Sequence, residues 1–173
     1  MTHHLSNTLV VFDLDGTLAD SAHDLIATLN VILAREGLPA VSYADAINMV
    51  GSGARALLRR GFAHGQRDLD EATTERLFAD FIAYYEAHVC IETKLYPGVV
   101  AALDHLEGAG AQFAVCTNKT ERLAHALLRD LGIHHRFLAV CGQDTFDVSK
   151  PNPRALTQTG MVPTRCAADC CSH

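Results

Sequence analysis

The chain has 173 residues, a hydrophobic fraction of 49% and a formal net charge of −6 at pH 7. That length buries a normal core and fits one domain, or one domain carrying an inserted module. The charge disfavours nucleic acid as a partner, because nonspecific binding there rests on Lys and Arg neutralising phosphates. No apolar run is long enough to cross a bilayer, and Met1-Thr2-His3-His4 does not open like a secretory signal, so a cytoplasmic protein with no membrane partner is expected.

Leu9-Val10-Val11-Phe12 predicts a buried strand, apolar throughout and rich in β-branched and aromatic residues. Ser21 to Asp24 has the form of a helix capping box, with Asp in place of Glu. Ala22, Leu25, Ile26, Leu29, Ile32 and Leu33 then recur at the spacing of one helical face, and Gly37 is a natural stop. Ser42 opens a short helix through Met49, Ser52 precedes another over 54–60, and Thr74 to Val89 forms a longer one with Leu77, Phe78, Phe81 and Tyr85 inward. Residues 20–90 therefore read as almost wholly helical, with no convincing strand. Pro97 suits the first turn of a helix whose apolar face runs from Val99 to Leu106. Gln112 to Cys116 is a short buried strand, Glu121 to Leu131 an amphipathic helix stopped by Gly132, and Phe137 to Cys141 a third strand. Such alternation implies βαβ crossovers and a parallel sheet. The reading is an α/β core over residues 1–19 and 91–173, interrupted by a helical insert over 20–90.

Ligands in open parallel sheets bind at the carboxyl ends of the strands. Asp13, Thr117 and the loop after Cys141 are expected to converge there. Two carboxylates two residues apart at a strand end, followed by Gly-Thr, suit phosphate chemistry. Asp13 can attack phosphorus as a carboxylate nucleophile, and Asp15 can protonate the departing alkoxide. Gly16 permits a tight turn and close backbone approach. The same residue types also build ordinary surface turns. Thr117 and Asn118 place a hydroxyl and an amide at another strand end, where they suit the oxygens of a transferring phosphoryl group. Lys150, on the stiff segment Lys150-Pro151-Asn152-Pro153, can offset both a phosphate and the Asp13 carboxylate, while Pro153 also begins a helix. Arg55 can grip an anionic substrate with two hydrogen bonds, or belong to a solvated basic helix face with Arg59. His64, His88, His134 and His135 show no metal or triad spacing. Cys90, Cys116 and Cys141 read as buried core thiols, and Cys166, Cys170 and Cys171 with His173 match no common zinc pattern.

The run from Phe12 to Leu25, Phe-Asp-Leu-Asp-Gly-Thr-Leu-Ala-Asp-Ser-Ala-His-Asp-Leu, closely resembles the signature of the haloacid dehalogenase superfamily. Together with Met49-Val50-Gly51-Ser52-Gly53-Ala54-Arg55, it looks most like the phosphoglycolate phosphatase branch, and the resemblance covers residues 8 to about 156. It implies a Rossmann-like core with a helical cap inserted after the first strand. It also implies a magnesium-dependent phosphomonoesterase of small phosphorylated metabolites, 2-phosphoglycolate first among them, working through an aspartyl-phosphate as a monomer or homodimer. On that resemblance Asp13 is the nucleophile, Asp15 the acid/base and Lys150 a phosphate stabiliser. Gly16, Thr17, Thr117, Asn118 and Arg55 contact the substrate. The Asp13 carboxylate and the Asp15 carbonyl supply part of the Mg2+ shell, which favours oxygen ligands. A phosphomutase would share every core residue; a dehalogenase would not need the acid Asp15.

Family phosphatases carry a further motif after Lys-Pro, an apolar strand ending in Gly-Asp that completes the magnesium site. The 23 residues after Lys150 hold no Gly-Asp pair, and their single acid is Asp169. The expectation is a core incomplete at its C-terminus, with a tail that reads as frameshifted or cut short. A catalytically impaired fragment is thus the alternative to an active phosphatase. Leu9 to Phe12 would then lie at a sheet edge, and exposed apolar edges promote self-association.

Overall fold

The computed structural model describes residues 5–162. Asp169, Cys166, Cys170, Cys171 and His173 lie outside the described residues. In chain order the elements are strand β1 (Leu9–Phe12), strand β2 (Ala19–Asp20), helix α1 (Ala22–Arg35), helix α2 (Tyr43–Ala46) with a 3-10 turn at Ile47–Met49, helix α3 (Ala54–His64), helix α4 (Glu71–Ala87), strand β3 (Lys94–Leu95), helix α5 (Val99–Gly108), strand β4 (Gln112–Cys116), helix α6 (Glu121–Asp130), strand β5 (Phe137–Cys141) and helix α7 (Pro153–Met161). The chain divides into two compact units, Met1–Leu14 with Pro97–His173, and Asp15–Tyr96.

The first unit is the α/β one. Its sheet runs β1-β4-β5, all parallel, with Phe12 opposite Val115 and Cys116 opposite Cys141. Phe12, Phe113 and Phe137 meet across the three strands, with ring centroids 5.5 to 6.4 Å apart, and Phe12 meets the other two rings in the edge-on geometry that aromatic quadrupoles favour. Helix α6 packs on β5, and α7 on all three strands. Leu123, Ala124, Leu127 and Leu128 form the buried stripe of α6. From Phe113 onward β4 is buried, whereas all four residues of β1 are only half-buried. The expected buried strand is thus a partly covered one, because among the described residues β1 pairs on one side alone.

The second unit is built on α1, α3 and α4, packed on one another. Leu29, Ile32, Leu33, Leu58, Phe62, Leu77, Phe81 and Tyr85 form its core. Ser42 caps α2 through the Asp45 N–H, as its position predicts. The longest helix starts earlier than the expected Thr74, because the Asp70 carboxylate accepts the Thr73 N–H and sets the first turn at Glu71. Two further expectations are corrected. The almost wholly helical stretch 20–90 has one strand residue at its margin, Asp20: Ala19–Asp20 pairs antiparallel with Lys94–Leu95, a ribbon too short to leave a periodic signal. Pro97 stands two residues before α5, whose N-cap is Gly98.

The Ser21–Asp24 box does not form. Asp24 turns away from its own helix and is only 5% exposed. It accepts the Glu92 N–H at 3.0 Å, the Thr93 N–H at 3.0 Å and the Thr93 hydroxyl at 2.6 Å. Those bonds fasten the segment that leads into β3 onto the first turn of α1. Removing the carboxylate takes the acceptor from the buried Thr93 N–H and hydroxyl and from the part-buried Glu92 N–H, and bonds to charged groups contribute about 1.5–3 kcal/mol each. Asp24→Ala is expected to destabilise the chain by about 3 kcal/mol, read as a drop in the urea midpoint at unchanged slope. A loss below about 1 kcal/mol would show that water replaces the carboxylate there.

Candidate active site

In the α/β unit the predicted groups follow the carboxyl ends of adjacent strands. Asp13 follows β1, Thr117 follows β4 and Gly142 follows β5. The register holds them level, since the Thr117 N–H donates to the Cys141 carbonyl at 2.9 Å. Asp13 Oδ1 accepts the Leu14 N–H at 2.8 Å and lies 2.7 Å from Lys150 Nζ. Lys150 therefore meets Asp13 from a distance of 137 residues, and its segment is held by the start of α7. There Asn152 caps the helix through the Arg154 N–H, Pro153 occupies the first turn, and the Asn152 N–H bonds the Ser149 carbonyl. Both partners retain solvent contact, with side-chain exposures of 25% for Lys150 and 36% for Asp13. Asp13 Oδ2 has no hydrogen-bond partner among the described residues, so one carboxylate oxygen is oriented and the other stays available.

Thr117 is buried, and its Oγ accepts the Lys119 N–H at 3.2 Å, which closes a short turn and leaves the hydroxyl proton to donate. Asn118 follows it, half-buried. The loops after β4 and β5 brace each other closely. Gln143 N–H donates to the Lys119 carbonyl at 2.9 Å, and Glu121 N–H to Asp144 at 2.7 Å. The Thr145 hydroxyl donates to Glu121 at 2.6 Å and accepts the Gly142 N–H at 2.8 Å. Sequence reasoning missed Gly142. A Cβ there would stand 2.2 Å from the Glu121 nitrogen and 2.6 Å from the Lys119 carbonyl oxygen. A glycine directly after a buried strand was the available signal. Burial pushes the Cys141 thiol up, which keeps it protonated and inert beside this loop. Cys116 is buried as expected, whereas Cys90 is only half-buried. His125 and His134 share a hydrogen bond at 2.7 Å that spacing did not suggest. No group of three metal-ligating side chains occurs among the described residues.

In the helical unit Asp15, Gly16 and Thr17 form a tight turn, closed by the Gly16 N–H on the Ala19 carbonyl at 2.9 Å, with Gly16 at φ +78°. The turn borders a cavity of about 100 Å3 lined by Asp15, Asp20, Ser21, Ile47, Val50 and Tyr96, among others. Burial, aided by the Asp20 carboxylate, pushes the Tyr96 hydroxyl up, so it faces ligands as a donor. Arg55 is engaged elsewhere. It forms a two-pronged ion pair with Glu75 at 2.5 and 2.7 Å, and its guanidinium lies 3.6 Å from the Phe78 ring centroid. To grip a substrate it would have to release Glu75.

Parallel strands thus carry a carboxylate, a hydroxyl and an ammonium at one end of an α/β core. Residues 10–161 match the haloacid dehalogenase-like hydrolase family, and the chain belongs to that family. A phosphoglycolate phosphatase of Agrobacterium fabrum is 44% identical over 159 residues, which span 92% of this chain and 68% of the relative. One from Caulobacter vibrioides is 45% identical, over 88% of this chain and 64% of its own length. The crystal structure of a predicted phosphoglycolate phosphatase from Haemophilus somnus matches with a TM-score of 0.78 at 30% identity, covering 88% of this chain and 69% of that one. The chain thus spans about two thirds of the length of these relatives.

Gly142 offers a direct check on the braced loops. Gly142→Ala forces the Glu121 backbone aside, and overpacking of this kind typically destabilises by about 1–3 kcal/mol. The expected result is a loss of about 2 kcal/mol in chemical denaturation, with amide shift changes concentrated at residues 117–121 and 142–145. A variant as stable as the parent, with unshifted amides, would show that the loop yields.

Proposed function

We propose that the chain is a magnesium-dependent phosphomonoester hydrolase of small phosphorylated metabolites, with 2-phosphoglycolate as its substrate in the cytoplasm. The observation that carries the reading is Asp13, with Oδ1 tied to Lys150 and to the Leu14 N–H and Oδ2 left open. A carboxylate oriented in this way presents one lone pair to phosphorus. The family membership and the phosphoglycolate phosphatase relatives support the same reaction class.

In this mechanism Asp13 Oδ2 bonds phosphorus as the ester bond breaks, and Asp15 gives its proton to the leaving oxygen. Asp15 then takes a proton from the water that attacks phosphorus and frees Asp13. Thr117 donates its hydroxyl proton to a phosphoryl oxygen, and the Lys150 ammonium offsets the added charge. Gly16, Thr17 and Asn118 present further polar groups to the substrate. The donors suit Mg2+: the Asp13 carboxylate and the Asp15 main-chain carbonyl are hard oxygens, and Mg2+ is commonly held by one or two carboxylates with waters and substrate phosphate. When bound, the ion neutralises charge on the phosphoryl group and orients it.

The acid that the resemblance implies after Lys150 has no counterpart in the Gly-Asp context among these residues. Loss even of indirect metal contacts typically lowers affinity or activity about 10–100-fold. Purified chain and its Asp13→Asn variant should therefore be assayed for phosphate release from 2-phosphoglycolate, beside the Agrobacterium fabrum relative. Magnesium-dependent release is expected at least about 10-fold below that of the relative, and it should vanish in the variant. Equal release by both forms would remove Asp13 as the nucleophile. A rate matching the relative would show that the shorter chain forms a full metal site.

A further inference from the structure

The short ribbon of the helical unit places two polar side chains side by side. Asp20 pairs with Lys94, and the ladder continues through the Tyr96 N–H, which donates to the Leu18 carbonyl at 3.1 Å. Side chains two apart on a strand share a face, so Tyr96 lies on the face of Lys94 and, across the pairing, of Asp20. Both line the cavity of about 100 Å3 that borders Asp15. Each is half-buried, yet neither the Asp20 carboxylate nor the Tyr96 hydroxyl makes a hydrogen bond to a described residue. Ala22, Ile47 and Val50 add apolar wall, and the lining holds no Lys, Arg or His.

The pair has a definite chemistry. A carboxylate only accepts hydrogen bonds. The Tyr96 hydroxyl, pushed up by burial and then by the Asp20 carboxylate, keeps its proton and donates. A group that satisfies both must accept one bond and donate another, which an alcohol hydroxyl does with a single oxygen. An ammonium leaves the Tyr96 proton without an acceptor. A carboxylate meets the Asp20 charge with no cation in the lining to offset it. An apolar cavity of about 150 Å3 holds benzene, so this one has room for two or three carbons bearing a hydroxyl.

We infer that the cavity binds a hydroxyl of the leaving alcohol through Asp20 and Tyr96, and that the chain therefore also hydrolyses small phosphomonoesters carrying a free hydroxyl near the ester oxygen. The inference rests on the phosphatase reading given above, in which Asp15 serves the leaving oxygen, and adds hydroxyl-bearing esters to the carboxylate-bearing one named there. An ester without the hydroxyl leaves both polar groups facing carbon, and sites built on such bonds discriminate strongly against an analogue that lacks them.

The test compares 2-hydroxyethyl phosphate with ethyl phosphate, which differ by that hydroxyl alone. The first is expected to show a kcat/KM at least about tenfold higher. In Tyr96→Phe, which keeps the ring, the ratio should fall below about threefold. A ratio taken within each variant cancels any general loss of folding or metal binding. Asp20→Asn should raise 2-phosphoglycolate relative to 2-hydroxyethyl phosphate by at least about fivefold, because it removes the charge that opposes a carboxylate. A parent ratio near one, or ratios unchanged in both variants, would overturn the inference. A chain that releases phosphate from no ester counts against the phosphatase reading instead, and binding then decides the cavity. There 1,2-ethanediol is expected to shift the amides of residues 20, 47–51 and 96 while ethanol does not, and Tyr96→Phe should abolish the difference. Equal shifts with both alcohols in the parent would overturn the inference without any turnover.

Discussion

The contact between Lys150 and Asp13 is the constraint on which the candidate site depends. It joins the end of the first strand to the segment before the last described helix. Its value is geometric more than energetic. Partly exposed ion pairs contribute about 0–1 kcal/mol to stability, because solvent screens them and two long side chains lose freedom. The pair instead fixes one carboxylate oxygen and leaves the other open, an asymmetry that a carboxylate in water does not have. Everything that holds Lys150 in place, from the Asn152 cap to Pro153 at the start of α7, acts on Asp13 through that single contact.

The helical unit answers with a similar arrangement at Asp15. There the orienting group is a neutral hydroxyl, and its source is a helix end deprived of its usual cap. Two neighbouring acids are therefore held by different means, one by a cation and one by a serine. The difference suits their proposed tasks. The partner of Asp13 brings a positive charge to the strand end, whereas the Ser21 hydroxyl orients Asp15 as a neutral donor.

Much of this was legible in the sequence where the signal is local. The ends of β4 and β5, the Ser42 cap and the helix beginning at Pro153 all follow from short-range preferences. The motif residues Asp13, Thr117 and Lys150 also declared their chemistry by type and setting. What the sequence concealed depends on partners far along the chain. Asp24 reads as a capping residue until Glu92 and Thr93 arrive, 68 and 69 residues later. Gly142 reads as an ordinary turn until the Glu121 backbone presses against it. The β2–β3 ribbon has two residues per strand, too few for alternation to appear. Arg55 looked free because nothing local announces Glu75, 20 residues on.

The one-sided pairing of β1 has a dynamic consequence. Protein segments open locally with free energies that range from near zero to the full global value, and few buried contacts and exposed backbone bonds lower that figure. Among the described residues, β4 lies between two strands and is buried from Phe113 onward, while β1 has a strand on one side and is half-buried throughout. Amide hydrogens of β1 therefore exchange with solvent through smaller openings than those of β4. The nucleophile candidate rides on the less protected of the two strands, so its fixed orientation lasts only as long as that strand stays closed.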